Sequence, residues 1–278
     1  MFKSKKPLVS IVIPCWFTNE QHGKYGKHET FWFATKCLER LLEVTPRESF
    51  ELIIIDNGST LKNESLYERD MEDNVNKFAF NVSEFWGEAD VLIRNSKNLG
   101  FAKSCNQAFA LTKGEYICCL NNDILVWEKW LDAILELFEL DYLNPKVGVV
   151  MPALMKETGD AVEALKIDKI DLSKNYEKFG PGAEFGSLWV APRELLKKIA
   201  ERRDGYQVFD ENFKFGYGGD DRLLWVETRL EGFETYRIHK TRVFHQGGLT
   251  MGKFKERHQY TAKNREYLAK MKKEYGVS

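Results

Sequence analysis

Residues 116–123 are Tyr-Ile-Cys-Cys-Leu-Asn-Asn-Asp, an apolar run that ends in a polar triplet. A short continuous apolar run of this kind is typical of a strand buried on both faces of a sheet. In α/β proteins, ligands bind at the carboxyl ends of such strands. Asp123 therefore stands where a ligand is expected, and its carboxylate suits a divalent cation, which takes oxygen ligands. The triplet is predicted to open into a helix that begins near Glu128.

Similar apolar runs alternate with helix-like segments along the first half of the chain. This alternation is typical of βαβ units, so we predict an α/β fold with a mostly parallel central sheet flanked by helices. The second half is less regular, and its polar stretch 156–181 is expected to form a long excursion. Strands are predicted at 9–14, 51–56, 91–94, 116–120, 147–151, 185–191 and within 234–245, and helices at 31–44, 101–111, 130–140, 194–199 and 253–275.

Composition narrows the class of protein. The 278 residues, 43% hydrophobic and 30% charged, suffice for a single large globular domain. A net charge of −1 does not favour nucleic acid as a partner, although it does not exclude a local basic patch. No apolar run approaches the length of a membrane span, and residues 1–7 lead directly into a strand. An odd number of cysteines without a CxxC pair predicts buried free thiols, and with them a reducing cytoplasmic location: Cys15, Cys37, Cys105, Cys118 and Cys119.

Further candidate groups lie beside glycines. Asp56 ends a predicted buried strand, and carboxylates from two strands of one sheet can flank a single crevice, although either can simply cap the next segment. Residues 216–222 are Gly-Tyr-Gly-Gly-Asp-Asp-Arg and precede a helical pattern. One of two adjacent carboxylates in a closed pocket has a raised pKa, which suits a general base, so Asp220 and Asp221 are candidates, with a helix cap as the alternative. His245 ends an apolar run before Gln-Gly-Gly, where imidazole serves either as a metal ligand or as a structural group.

Taken in order, these motifs resemble family 2 glycosyltransferases of the GT-A fold. The matching segments are 9–14, 55–59, 98–106, 121–123, 218–221 and 245–248, and the resemblance covers roughly residues 8 to 250. It implies a Rossmann-like domain that transfers a sugar, with inversion, from a nucleotide-diphosphate sugar to an acceptor hydroxyl. A UDP- or dTDP-sugar is the expected donor.

The resemblance also implies roles for individual residues. Asp56 would contact the nucleotide base and Asn121 the ribose. Asp123 would bind Mn²⁺ or Mg²⁺ at the diphosphate, with His245 as a second ligand, and Asp221, or else Asp220, would be the general base. The family often has Asp at the position of Asn121, whose neutral amide brings no charge to a cation. Other positions assigned to donor binding are Pro14, Asn57, Gly58, Asn98, Gly100, Lys103 and Asn122.

The acceptor is expected to lie against the second half of the chain. Trp189 and Tyr217 are candidates for stacking on a sugar ring, with a core position as the alternative for each. Gly218 and Gly219 would let the backbone pass close to the acceptor. The acceptor's identity stays open between a glycan, a lipid-linked sugar and other hydroxyl compounds, and so does the oligomeric state.

Two other functions are compatible with an α/β fold of this kind. A sugar-phosphate nucleotidyltransferase would favour a Gly-rich loop after the first strand, where this chain has Pro-Cys-Trp-Phe at 14–17. An inactive sugar-binding module is disfavoured because all the candidate catalytic and metal-binding groups are present.

We expect one GT-A domain, with a nucleotide-sugar-binding half at about 8–125 and an acceptor-binding half at about 126–250. The basic helix expected in 251–278 either approaches anionic lipid at the inner face of the membrane or is a solvated surface.

Overall fold

A computed structural model describes residues 8–18, 22–23, 26–27, 29–61, 82–140, 142–155, 175–178, 186–203, 205, 207–213, 219–247 and 257–277. Within these residues a nine-stranded sheet carries helices on its faces. The strands are β1 (Val9–Cys15), β2 (His22–Gly23), β3 (Gly26–Lys27), β4 (Phe50–Asp56), β5 (Val91–Arg94), β6 (Tyr116–Leu120), β7 (Ile124–Val126), β8 (Lys146–Met155), β9 (Tyr176–Lys178), β10 (Leu188–Pro192) and β11 (Phe233–His245), with β2 and β3 forming a separate hairpin. The helices are α1 (Glu29–Val44), α2 (Val82–Gly87), α3 (Phe101–Phe109), α4 (Trp130–Phe138), α5 (Arg193–Glu201), α6 (Asp220–Leu230) and α7 (Arg257–Glu274), together with a 3₁₀ turn at Arg47–Ser49.

The strand order of the large sheet is β5-β4-β1-β6-β10-β8-β11-β7, and β9 pairs with β11. The pairings β5–β4, β4–β1, β1–β6 and β8–β11 are parallel, whereas β7, β9 and β10 run in the opposite direction. The prediction of a mostly parallel α/β sheet is therefore confirmed. The parallel strands β4, β1 and β6 all end at one edge, and the candidate residues lie at this edge.

The apolar runs form strands because both faces of the sheet are covered. In β1, Ile11 packs into the core on the side of α1 and α4, while Val12 packs into the core on the side of α3 and α5. Neighbouring residues of β4 divide in the same way, with Ile54 on the first side and Ile53 on the second. All four side chains are fully buried. A continuous β-branched run is what such a double-sided environment selects.

Several predicted boundaries are corrected. The triplet 121–123 opens into the short strand β7 rather than directly into a helix near Glu128, and α4 begins only at Trp130. The stretch 234–245 forms a single 13-residue strand, β11, which pairs with both β8 and β7. Most of the excursion 156–181 lies outside the described residues. The division of the domain into a donor half and an acceptor half stays a prediction.

The prediction of buried free thiols is confirmed, since all five cysteines are buried and none is in a disulfide. Burial raises the pKa of the Cys118 thiol well above its ordinary value, so this thiol stays protonated and packs as a small apolar group. None of the helices in the described parts of the chain is long and apolar enough to cross a membrane.

Candidate active site

Asp56 lies at the carboxyl end of β4, opposite Cys15 in the register with β1. Its Oδ1 accepts the backbone NH of Ser59 at 2.8 Å, and this bond holds the carboxylate at the start of the following turn. Gly58 within that turn has φ +78°, and a Cβ at this position would lie 2.4 Å from the backbone carbon of Lys97. Gly58 is therefore required by the close approach of a neighbouring loop, in addition to any contact with a ligand.

The Asn57 side chain holds the neighbouring loop, residues 95–100, through hydrogen bonds. Its Nδ2 donates to Asn98 Oδ1 at 2.9 Å and to the Gly100 carbonyl at 3.3 Å. Its Oδ1 accepts from Asn95 Nδ2 and from the Leu99 backbone NH, each at 3.1 Å. An amide side chain has two donors and two acceptor sites, so this one is fully used. Asn57 therefore holds the 95–100 loop beside Asp56, and a contact of this residue with the donor stays a prediction.

Asn98 and Gly100 serve the same loop. Asn98 Oδ1 also accepts the backbone NH of Gly100 at 2.8 Å. Gly100 has φ +85° and precedes α3, and its carbonyl accepts the Ser104 hydroxyl at 2.8 Å. These two predicted donor-binding residues shape the loop beside the carboxyl end of β4, and direct contact of either with a donor stays a prediction.

The candidate metal ligands come together across the β7–β11 pairing. Ile124 pairs with His245, and this register brings His245 Nε2 to 3.3 Å from Asp123 Oδ1. The Gln246 backbone NH donates to the Asp123 carbonyl at 3.2 Å, which closes the pairing. Asp123 is 7% exposed, so its carboxylate is largely withdrawn from water. A carboxylate oxygen and an imidazole nitrogen 3.3 Å apart are donor types that fit Mn²⁺ or Mg²⁺, with substrate phosphate and water expected to supply the other ligands.

The two asparagines of the triplet are held in place by different neighbours. The Asn121 backbone NH donates to the Ser187 carbonyl at 2.8 Å, and its carbonyl accepts from the Cys37 thiol at 3.6 Å. Burial raises the pKa of the Cys15 thiol, and a hydrogen bond with the Asn122 side chain opposes that shift. Asn122 is 8% exposed, and its amide therefore ties the triplet to β1. Contact of Asn122 with the donor stays a prediction.

Asp220 and Asp221 form the first turn of α6 and differ in their surroundings. Asp220 is 4% exposed and its Oδ2 has no hydrogen-bond partner in the described part of the chain, so the carboxylate faces the interior. Asp221 is partly exposed, and its Oδ1 accepts the Arg222 backbone NH at 2.8 Å. Burial and the neighbouring Asp220 raise the pKa of Asp221 to about 7, while burial raises the pKa of Asp220 to about 6. Of the pair, Asp221 has the accessibility that a general base needs.

Gly186 and Ser187, which the sequence analysis did not assign to the site, join its two halves. A Cβ at Gly186 would lie 2.8 Å from Asp221 Oδ2, so the carboxylate rests against this glycine. The next residue, Ser187, accepts the Asn121 backbone NH. The candidate base and the metal-binding triplet are therefore connected through two consecutive residues. The available sequence signal was a Gly-Ser pair before an apolar run, which marks a turn into a strand.

The residues predicted to contact the acceptor lie in different surroundings. Trp189 is 0% exposed and its ring packs against Phe109 and Phe209, so the expectation that it stacks on an acceptor is wrong. At Gly219 a Cβ would lie 2.4 Å from Phe213 Cε1, which gives packing as the reason for this glycine. Tyr217 and Gly218 lie outside the described residues.

Lys103 and Pro14 are the two remaining residues predicted to contact the donor. Lys103 is largely exposed on α3, with its Nζ 4.0 Å from Glu211 Oε2. Pro14 is partly buried in β1 opposite Ile55, one residue before the edge. Donor contacts for both residues stay predictions.

Comparison with known proteins places this geometry in context. The sequence profile described as "Glycosyl transferase family 2" matches residues 33–200, which is more than half of the chain. The matched segment contains β4, α3 and β6, and with them Asp56 and the 121–123 triplet. A search of curated proteins gives no significant match.

Solved structures with the same fold include sugar transferases. TarS residues 1–349 from S. aureus superposes with a TM-score of 0.56 at 14% identity, covering 92% of this chain and 70% of that one. GalNAc-T7 with UDP, GalNAc and Mn²⁺ gives 0.57 at 14% identity, covering 87% and 44%. The mannosyltransferase PcManGT from Pyrobaculum calidifontis, with GDP-Man and Mn²⁺, gives 0.52 at 20% identity, covering 86% and 57%. These likenesses establish a shared GT-A fold.

Proposed function

We propose that this chain, which belongs to glycosyl transferase family 2 and is a nucleotide-sugar glycosyltransferase, transfers the sugar with inversion by using Asp221 as general base and a divalent metal at Asp123. The observation that carries the proposal is the connection of the two groups. Asp221 rests on Gly186, and the next residue, Ser187, binds the first residue of the 121–123 triplet. The base and the metal-binding carboxylate thus face one edge of the sheet, as transfer between a bound donor and an acceptor requires.

The donor would occupy the crevice between the ends of β1, β4 and β6. Asp56, whose carboxylate is held by the Ser59 backbone NH, would accept hydrogen bonds from the nucleotide base, and Asn121 would contact the ribose. Asp123 and His245 would hold Mn²⁺ or Mg²⁺ against the diphosphate. When bound, the ion neutralises charge on the departing diphosphate as a Lewis acid. TarS has been solved with UDP-GlcNAc or UDP and PcManGT with GDP-Man, so both uridine and guanosine donors are represented among structures of this fold.

The chemical step follows from the environment of Asp221. Its ionised carboxylate takes the proton of the acceptor hydroxyl as that oxygen forms a bond to the anomeric carbon. The bond from the anomeric carbon to the diphosphate breaks on the opposite side of the sugar, and its electron pair leaves with the diphosphate. Attack from the face opposite the leaving group inverts the anomeric centre. A pKa of about 7 means that Asp221 is ionised above neutral pH and yet basic enough to accept the proton.

The proposal is tested by donor turnover, which needs no knowledge of the acceptor because water can take its place. Purified protein is incubated with UDP-, dTDP- and GDP-sugars and Mn²⁺, and the released nucleoside diphosphate is measured. We expect release from one of these donors, and a loss of about 10²- to 10⁴-fold in Asp221→Asn. Asp132→Asn is the matched control, since Asp132 is an exposed carboxylate in the first turn of α4. Equal activity of Asp221→Asn and Asp132→Asn would overturn the assignment of the base.

A further inference from the structure

Helix α7 packs along α6, the helix that begins with the two catalytic-site carboxylates. The contact is a small apolar cluster in which Phe213, Leu223 of α6 and Leu268 of α7 are buried. Tyr267 and Met271 of α7 are partly buried against it. The expected choice for this tail lay between a lipid-facing surface and a solvated one, whereas the structure gives one side of the helix a packing role.

Buried polar contacts accompany the apolar ones. The Tyr275 hydroxyl donates to Glu227 Oε1 at 2.9 Å, and Glu227, which is 0% exposed, is also paired with Arg203. The Tyr267 hydroxyl donates to Asp210 Oδ2 at 2.8 Å, and the same carboxylate lies 3.8 Å from Arg203 Nε. Two buried carboxylates therefore share one guanidinium and two phenols. A buried charge is costly when it loses a partner, so these contacts fix the relative position of α6 and α7.

The other end of α6 is held by the ring of Phe213. A Cβ at Gly219 would lie 2.4 Å from Phe213 Cε1, which means that the ring fills the space where a side chain would begin. Gly219 has φ 167°, an extended conformation open to any residue, so room for the ring is what requires glycine here. Phe213 is itself held edge-to-face by Tyr267, with ring centroids 5.1 Å apart. Among the described residues no side chain caps α6 at Gly219, so we assign the location of its first turn to the packing contact.

We propose that Phe213, backed by Tyr267 and Leu268 of α7, is a positioning residue of the transfer reaction: it sets where α6 begins and thereby places the Asp221 carboxylate against Gly186. This inference rests on the proposed role of Asp221. Phe213 acts through the backbone of Gly219, two residues before the base. A displacement of about 1 Å at a reacting group can cost about 10²-fold in rate, so a contact of this kind has a measurable effect.

An exchange of volume between Gly219 and Phe213 tests the contact. Gly219→Ala introduces a methyl group that meets the Phe213 ring, and we expect donor turnover to fall by about tenfold or more. In Gly219→Ala/Phe213→Leu the smaller side chain gives the methyl group room, and most of the lost rate should return. Gly87→Ala is the control, because Gly87 lies at the end of helix α2 and a Cβ there would contact nothing within 4 Å among the described residues. The proposal would be overturned if the losses of turnover from the two substitutions simply added in the double variant. It would also be overturned if Gly219→Ala were as active as Gly87→Ala.

A second readout separates positioning from loss of folded protein. Destabilisation lowers the active fraction and leaves the pH midpoint of the rate unchanged, whereas displacement of the base changes its surroundings. The charged groups that act on Asp221 are Asp220, which raises its pKa, and Arg222, which lowers it. In Phe213→Leu we expect the midpoint to move toward lower pH as the carboxylate gains water. The same shift should appear in ¹³C NMR titration of the Asp221 carboxyl, which requires no activity.

The outcomes separate the positioning role of Phe213 from the proposed catalytic role of Asp221. Turnover that depends on Asp221 but has an unchanged rate and midpoint in Phe213→Leu and Gly219→Ala would refute the positioning role and leave the proposed function intact. A carboxyl titration that moves in Phe213→Leu, in a protein that turns over no donor, would refute the proposed function. The mechanical link between Phe213 and Asp221 would then still stand. If Gly219→Ala does not fold, Phe213→Leu alone carries both measurements.

Discussion

Asp221→Asn should make the protein more stable at pH 8 while it removes activity. In the folded protein, burial and Asp220 oppose ionisation of Asp221 and raise its pKa from 3.8 to about 7. A carboxyl with a raised pKa favours folding below its unfolded pKa of 3.8, and this contribution is lost as pH rises through about 7. At pH 8 the ionised carboxylate therefore costs stability. Asparagine removes the charge and keeps an oxygen to accept the Arg222 backbone NH.

The size of the effect follows from the shift. A shift of about three pKa units corresponds to about 4 kcal/mol at 1.4 kcal/mol per unit. Asp221 is partly exposed, and part of its pKa shift comes from repulsion by the Asp220 carboxylate. We therefore take about half of that free energy, about 2 kcal/mol. For a domain of this size that corresponds to a rise in Tm of roughly 4–8 °C at pH 8. At pH 5 the folded wild-type carboxyl keeps its proton while the unfolded one has largely lost it, so the gain should shrink to about two fifths.

Thermal unfolding of wild type and Asp221→Asn at pH 5 and pH 8 measures this directly. Asp132→Asn is the control, and we expect it to change Tm by little at either pH because its carboxylate is exposed. A fall in Tm of Asp221→Asn at pH 8 would refute the argument that the fold opposes this charge. So would a gain of equal size at both pH values.

Further substitutions test other parts of the site. Gly58→Ala should destabilise by about 2 kcal/mol or more and weaken donor binding, because its Cβ would meet a loop backbone at positive φ; chemical denaturation with Gly87→Ala as control checks this. His245→Ala should weaken Mn²⁺ binding by about tenfold or more in calorimetry, whereas His239→Ala, which changes a histidine of the same strand that lies 3.3 Å from a different carboxylate, should not; equal losses would count against the ligand assignment. Trp189→Phe should leave acceptor KM unchanged, because the ring lies in the core, and a raised KM would restore the acceptor role.

The sequence predicted the parallel half of the sheet because each strand there carries its own signal. The apolar runs that became β1, β4 and β6 are long enough to be recognised locally, and each is followed by a turn or helix signal. β7 was missed because it has only three residues and runs into the approach to α4. What makes it a strand is pairing with β11, about 120 residues later in the chain, and local pattern carries no information about such a partner.

The site residues divide in a similar way. Asp56 and Asp123 could be predicted because a polar residue at the end of a buried strand is a local pattern with a known consequence. The use of Asn57 as a four-bond fastening could not, since its partners lie some 40 residues away. Trp189 was misassigned because an aromatic residue in a strand has the same appearance whether it faces a ligand or the core. The contact between Phe213 and Gly219 depends on the packing of α7 and has no local signature.

The central claim is that a nucleotide diphosphate and a metal bind together at Asp123, and thermal stabilisation tests it most directly. UDP, dTDP and GDP are each added to wild type and to Asp123→Ala, with Mn²⁺ or with EDTA. A ligand at 100 times its Kd stabilises the native state by about 2.7 kcal/mol. We predict that one of the three nucleotides raises the Tm of wild type with Mn²⁺, and that EDTA or Asp123→Ala removes most of this rise. A rise that is equal in EDTA and in Asp123→Ala, or no rise with any of the three, would contradict the account.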